Sequence, residues 1–338
     1  MKTTSIKNLV AATLLILAAT TAQARSWRIN NDATKAPDFT DINAAMASED
    51  VVAGDTLYLD EGTNLTTEQN VTKKVTIVGP GYEATLPYGM ATISGMLNLK
   101  AAEIKVEGMN ITGGTKIQAD YVTIERCKTY YIGCSGTCRY ATIRQCYVVR
   151  TNGDSAIGGL GKTDAKSAYW TVENCIISSS VGNYARCITN LYSVVIRNNL
   201  LLINASYSSW NLLNLGNADI TNNIIVNTDV NRCISDIDGK FINNVVGQNY
   251  AAETNHVTGS TSTADVFTGD YESYALIEDS PAKDYGTDGK DCGIFGGLYP
   301  YVKGGLPQGH PYYTKAVISS RAENDKVNVS LKIKMQNE

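Results

Sequence analysis

The feature that most constrains this chain is a motif, apolar-x-x-(Asn or Cys), that recurs through its middle. It reads Ile124-Glu-Arg-Cys127, Ile143-Arg-Gln-Cys146, Val172-Glu-Asn-Cys175, Ile196-Arg-Asn-Asn199, Ile220-Thr-Asn-Asn223 and Phe241-Ile-Asn-Asn244, with Val106-Glu-Gly-Met109 one step earlier. The steps are 18, 19, 29, 24, 24 and 21 residues. Two places after each motif from Ile124 onwards come Thr129, Val148, Ile177, Leu201, Ile225 and Val246, a second apolar or β-branched column in register with the first. A period of about 20–25 residues, with short β-type runs and no helical periodicity, predicts a β-solenoid. The spaced leucines and helical segment of a leucine-rich repeat are missing.

Stacked coils lie about 4.8 Å apart, so equivalent side chains form columns. That accounts for polar residues inside apolar runs such as Val195–Asn204, because a buried amide must be paired. Asn199, Asn223 and Asn244 are expected to form an asparagine ladder at a tight turn, continued by Cys127, Cys146 and Cys175 as small apolar substitutes. The next outward column reads Glu125, Arg144, Glu173, Arg197, Thr221, with signs alternating between neighbouring coils.

Residues 1–24 read as a signal peptide: Lys2 and Lys7, an apolar run Leu9–Ala19, then Ala22-Gln23-Ala24. Its removal takes two lysines and no acid from a net charge of −4, leaving −6. No basic patch stands out, which argues against a nucleic-acid partner, and no other segment is long and apolar enough for a membrane span. The chain is expected to be exported, to the periplasm, the cell surface or the extracellular space. Tyrosine is abundant, twenty against four phenylalanines and three tryptophans, which suits half-exposed strand faces and sugar stacking alike. His256 and His310 are the only histidines, too few for a His-rich zinc site or a Ser-His-Asp triad.

The chain resembles the pectin-lyase-like family of right-handed parallel β-helices, as found in exported bacterial members. The resemblance rests on Phe39-Thr-Asp-Ile42-Asn-Ala-Ala45, on Gly54-Asp-Thr-Leu-Tyr-Leu59, and on Ser280-Pro-Ala with Asp288-Gly-Lys-Asp-Cys-Gly-Ile-Phe-Gly-Gly297, which looks like a closing coil. It implies an all-β fold with an N-terminal cap and first coil over 25–60, a β-helix over 61–300 and a C-terminal extension over 301–338. Phe39, Ile42 and Met46 have helical spacing, with Asp38 or Thr40 as cap. Lys326–Met335 alternates strictly and reads as a strand folded over the last coil or a side face, or offered to a surface partner.

Of eight cysteines, Cys127, Cys146, Cys175, Cys187 and Cys233 fall on columns and are expected to be buried thiols. Cys134-Ser-Gly-Thr-Cys138 is the best disulfide candidate. It lacks the second Cys/His pair of a zinc site.

Three constellations bear on function. Arg186 and Arg232 share the context Arg-Cys-Ile two coils apart, with Trp210 on the coil between. Guanidinium forks take carboxylate or sulfate, and tryptophan stacks on sugar rings. Asp236 and Asp238 share a strand face and suit calcium, with Lys240 or Arg232 as a lyase base beside them. Asn227-Thr-Asp229 is similar to the family's polygalacturonase-type hydrolases, but their paired Asp-Asp, Gly-His-Gly and Arg-x-Lys are absent. The longest coil carries a Gly-rich insertion, Gly158–Lys166, without phosphate-loop spacing. No catalytic set is complete, so the expectation is binding of a complex, anionic polysaccharide. The alternatives are a calcium-dependent lyase of uronic-acid polymers and a structural or adhesive surface protein.

Overall fold

A computed structural model describes residues 24–83, 90–151, 155–159, 167–180, 184–204, 209–259, 274–306, 311–318 and 329–335. Of the expected signal peptide, residues 1–24, all but Ala24 lies outside these residues, as do His310, the 160–166 part of the Gly-rich insertion and the 326–328 part of the C-terminal strand.

The motif's register is that of a parallel stack. Val106, Ile124, Ile143, Val172, Ile196, Ile220 and Phe241 are direct partners on successive parallel strands. Ile111, Thr129, Val148, Ile177, Leu201, Ile225, Val246 and Val257 make a second column. A third runs through Leu97, Thr115, Ile132, Ile157, Ile188, Leu212 and Ile234. The second stack is a 10-stranded sheet. The other two merge into a 17-stranded sheet, because Trp210–Thr221 and Ile234–Ile242 each run through both. The chain is a parallel β-helix whose core is the space between these stacks. The residues of these columns are buried except half-buried Val257, and each buried aliphatic side chain contributes about 1.5–3 kcal/mol.

The corner between the first and second stacks is built alike on every coil. Arg126, Gln145, Asn174, Asn198, Asn222 and Asn243 all adopt left-handed backbone, with φ between 52° and 60°. Asparagine tolerates that region better than most residues. The residue after each points inward. Asn199 Nδ2 donates to Asn223 Oδ1 at 2.9 Å, Asn223 Nδ2 to Asn244 Oδ1 at 3.0 Å, and Asn244 Nδ2 to Asn255 Oδ1 at 3.0 Å. Each Oδ1 also accepts the backbone N–H of the preceding coil, as Asn223 does from Asn199 at 2.9 Å. Higher in the same column, Cys127, Cys146 and Cys175 donate Sγ–H to the backbone carbonyls of Glu125, Arg144 and Glu173.

Outside, Arg144 bridges Glu173 at 2.7 Å and Glu125 at 3.4 Å, and Arg197 reaches Glu173 at 2.7 Å. Glu107 and Glu125 sit side by side with like charge, and Lys105 lies between them at 2.9 and 3.0 Å.

Ile42–Ala47 is helical and buries Ile42, Ala45 and Met46. Its cap is Asp41, which accepts from Ala44 N at 2.7 Å, in place of Asp38 or Thr40. Asp38 instead accepts from Arg28 N, and Phe39 lies before the helix, packed on Trp27. Buried Gln69 also accepts from the first helical N–H groups, Ile42 and Asn43, joining the cap to the coils.

Of two expectations about the C-terminal third, one is corrected and the other gains a partner strand. The stretch Ser280–Gly297 is no coil: residues 274–306 form no strand, and the chain runs back along the outside of the solenoid. Asn243 Nδ2 donates to Tyr285 O, Thr287 N to Asn222 Oδ1, Asn174 Nδ2 to Ile294 O and Gly296 O, Gln145 Nε2 to Pro300 O, and Arg126 Nη1 to Leu306 O. This strap covers an outer apolar strip of Ile176, Leu200, Leu202, Ile224, Val226 and Val245 with Tyr274, Ala282, Cys292 and Ile294. The strand at the far C-terminus, Val329–Met335, pairs antiparallel with Pro311–Ile318 rather than with a coil. Adjacent hairpin strands pair at low loop-closure cost, which explains the preference.

Candidate functional site

The corner between the second and third stacks gathers the residues singled out for binding. Arg186 opens the strand Arg186–Tyr192, Trp210 opens Trp210–Thr221, and the two are direct register partners. Arg232 ends a short 3-10 turn, Val230–Arg232, capped by Asp229, whose side chain accepts from Asn231 N. Inward of these three, Cys187, Asn211 and Cys233 are buried. Asn211 donates to Leu201 O and Val226 O, both at 3.0 Å. Asn227 donates to Asn211 Oδ1 at 3.1 Å, to Ser209 O at 3.2 Å and to Arg232 O at 2.8 Å. This buried amide pair fixes the backbone that presents Trp210 and Arg232.

The outward geometry follows. The Arg232 guanidinium lies 5.8 Å from the Trp210 ring centroid and pairs with Asp229 at 3.0 Å. The Arg186 guanidinium lies 5.7 Å from the ring of Tyr184, and its Nη1 donates to Tyr184 O. Among the described residues, Arg186 Nε has no hydrogen-bond partner. The three residues thus lie on successive coils of one corner, with Arg232 beside the indole and Arg186 turned to Tyr184.

The corner continues past them. Two coils above Arg186, Tyr130 and Tyr131 follow the strand Lys128–Thr129. On the coil between, Arg150 ends the strand Tyr147–Arg150. Its guanidinium lies 4.8 Å from the Tyr130 ring and 4.6 Å from Tyr131. Its Nε also lacks a partner among the described residues. Sequence reasoning missed Arg150 and both tyrosines. The signal available was their position, since each lies at or just past the end of a second-stack strand, before the corner that Arg186 also occupies. From Tyr130 to Arg232 the corner crosses four coil steps, roughly 19 Å at the stacking distance of parallel strands. That length suits an oligomer and exceeds a single sugar.

The residues of the lyase reading are not assembled. Asp236 and Asp238 are both exposed on the strand Ile234–Ile242, and Asp236 has left-handed φ of 53°, which breaks the simple alternation that would put the two carboxylates on one face. Lys240 pairs with Asp219 at 3.7 Å and Arg232 with Asp229, so each candidate base has its own carboxylate. Among the described residues no group of three or more His, Cys, Asp or Glu side chains is placed to hold a metal, so no third side chain of these types joins Asp236 and Asp238 there.

Two other features lie away from this triplet. Tyr121, Tyr140 and Tyr169 stack on successive coils, centroids 4.8 and 5.0 Å apart and nearly parallel. Each covers its neighbour's face, leaving edges and hydroxyls to solvent. A cavity of about 390 Å³ lies between the strap and the second stack, lined by Tyr82, Lys128, Tyr147, Tyr274, Tyr301 and Lys303 among others.

No family model and no curated protein matches the chain. No helix among the described residues is long and apolar enough to cross a membrane.

Proposed function

We propose that this chain is an exported protein that binds an extended anionic polysaccharide, a polymer of uronic-acid or sulfated sugars, along the corner from Tyr130 to Arg232. The observation that carries the reading is the triplet Arg186, Trp210 and Arg232. A sugar ring stacks on the indole while the guanidinium groups on either side take its acidic substituents. Arg150, largely buried against Tyr130 and Tyr131, adds a further positive charge along the same corner, as a polymer with repeated charge requires. The resemblance to pectin-lyase-like β-helices is consistent with a polysaccharide ligand.

The test is calorimetry or affinity electrophoresis with polygalacturonate, a sulfated galactan and a neutral glucan. The acidic polymers are expected to bind and the neutral one not, with affinity falling as salt is added. Trp210→Ala is expected to weaken binding about tenfold, about 1.4 kcal/mol, and Arg186→Ala with Arg232→Ala by more. Acidic-polymer affinity that is unchanged in the triple variant removes the site from the reading. Unsaturated products absorbing in the ultraviolet, lost with a chelator, would replace binding by lyase chemistry at Asp236, Asp238 and Lys240.

A further inference from the structure

All eight cysteines are buried, and six of them have surroundings that their columns or the strap explain. Cys134 and Cys138 differ from the rest because they face each other within one coil. Cys134 ends the strand Ile132–Cys134, and the chain turns through Ser135, Gly136 and Thr137 before Cys138 returns beneath it. The turn is exposed while both thiols are buried, and the Sγ atoms approach to 2.6 Å. Gly136 has left-handed φ of 99°, which lets the turn close over so short a span. Ser167 Oγ, on the next coil, donates to Cys134 Sγ at 2.9 Å. Behind the pair, Cys138 O accepts the indole N–H of Trp170 at 3.0 Å, and Cys138 Sγ contacts Ile117 O. Both sulfurs are therefore held in place from two sides.

We propose that Cys134 and Cys138 are oxidised to an intramolecular disulfide as the chain folds, and that the other six cysteines remain thiols. The reaction is thiol–disulfide exchange. Cys134 thiolate attacks a disulfide oxidant, either a small-molecule disulfide or an oxidoreductase, forming a mixed disulfide and releasing one oxidant thiolate. Cys138 thiolate then attacks Cys134 Sγ and expels the second. The oxidant gains two electrons, and the two cysteines give up two protons. Hydrogen bonds from Cys138 and Ser167 pull the Cys134 thiol down to about 7 against the opposing effect of burial, which favours it as the attacking group.

The remaining cysteines lack this arrangement. Cys127, Cys146 and Cys175 lie one per coil, fully buried, each donating to backbone carbonyls. Cys187 and Cys233 are separated by the Asn211 coil, since Leu212 pairs with both Ile188 and Ile234. Cys292 lies on the strap and donates to Asn243 O.

The test is to fold the chain with oxidised and reduced glutathione, quench with acid, unfold, alkylate with iodoacetamide and digest with trypsin. Peptide Thr129–Arg139 carries both residues. It is expected to be unalkylated and lighter by two hydrogen atoms, with every other cysteine alkylated. Full alkylation of Thr129–Arg139, or protection of a column cysteine instead, overturns the proposal. A second reading does not depend on variants folding identically. Reductant is expected to lower the melting temperature of the wild type and to leave that of the Cys134→Ser, Cys138→Ser double variant unmoved. An equal response in both also overturns it.

Discussion

Asn198 and Asn199 are neighbours in sequence and face opposite ways. Asn198 holds the left-handed corner and lies against Gly296 and Gly297 of the strap, whereas Asn199 points inward and bonds Asn223. The same division repeats at Asn222–Asn223 and Asn243–Asn244, where the first member reaches Thr287 or Tyr285 and the second stays in the inward row. Asn223→Leu leaves Asn199 N–H without its acceptor and takes one donor each from the carbonyls of Ile196 and Thr221, the second of which still accepts from Asn198 N. Each buried group left unpaired costs about 1–3 kcal/mol, so urea unfolding is expected to show at least that loss. A variant that unfolds with the wild type would show these bonds to be dispensable. Asp55 makes a different kind of contribution. Fully buried, it accepts from Arg25 N, Trp27 Nε1 and Val52 N. Burial opposes its ionisation, but these donors outweigh it and hold the carboxyl below the ordinary 3.8. A depressed acid adds stability that is present above 3.8 and is lost as pH falls through its folded value. Acid titration followed by Trp27 fluorescence is therefore expected to show a transition below pH 3.8 at the cap. Asp55→Asn should remove that pH dependence.

At the scale of elements, what could be read from the sequence was whatever repeats. The inward columns and the outward charges were legible because each coil restates them, and a slip of one residue would turn every apolar side chain to solvent. The triplet proposed for binding was legible for the same reason, through its two Arg-Cys-Ile contexts. The strap was not. Its turn-rich sequence has no period, and its partners are corner residues whose polar character reads as ordinary turn chemistry. The sequence trace it left was a buried polar residue one place before the inward column on coil after coil. Arg150 escaped for lack of a matching neighbour, since its aromatic partners come from the coil above. Gly296 tests the strap directly. A Cβ there would meet Asp291 O at 1.9 Å and Asn198 Nδ2 at 2.6 Å. Gly296→Ala is expected to lift the segment, so that limited proteolysis cuts within 274–306 several times faster while the coils around Trp170 stay intact. Unchanged cleavage would mean the contacts with Asn174 and Gln145 hold the segment without it.

For the whole molecule the strap has a consequence in the physics of one-dimensional chains. A solenoid bound only through adjacent coils behaves as a row of coupled units, and it frays from an end one unit at a time. A segment fastened at Asn243, Asn222, Asn174, Gln145 and Arg126 adds couplings that skip units. The last coils cannot open without detaching a stretch that also holds coils more than a hundred residues earlier in the chain. Native-state hydrogen exchange is therefore expected to find amides in the Ile124 and Ile220 coils opening with nearly the same free energy. In Gly296→Ala that uniformity should give way to a gradient falling towards the Asn244 end. The strap makes a stack of separable units melt as a single one.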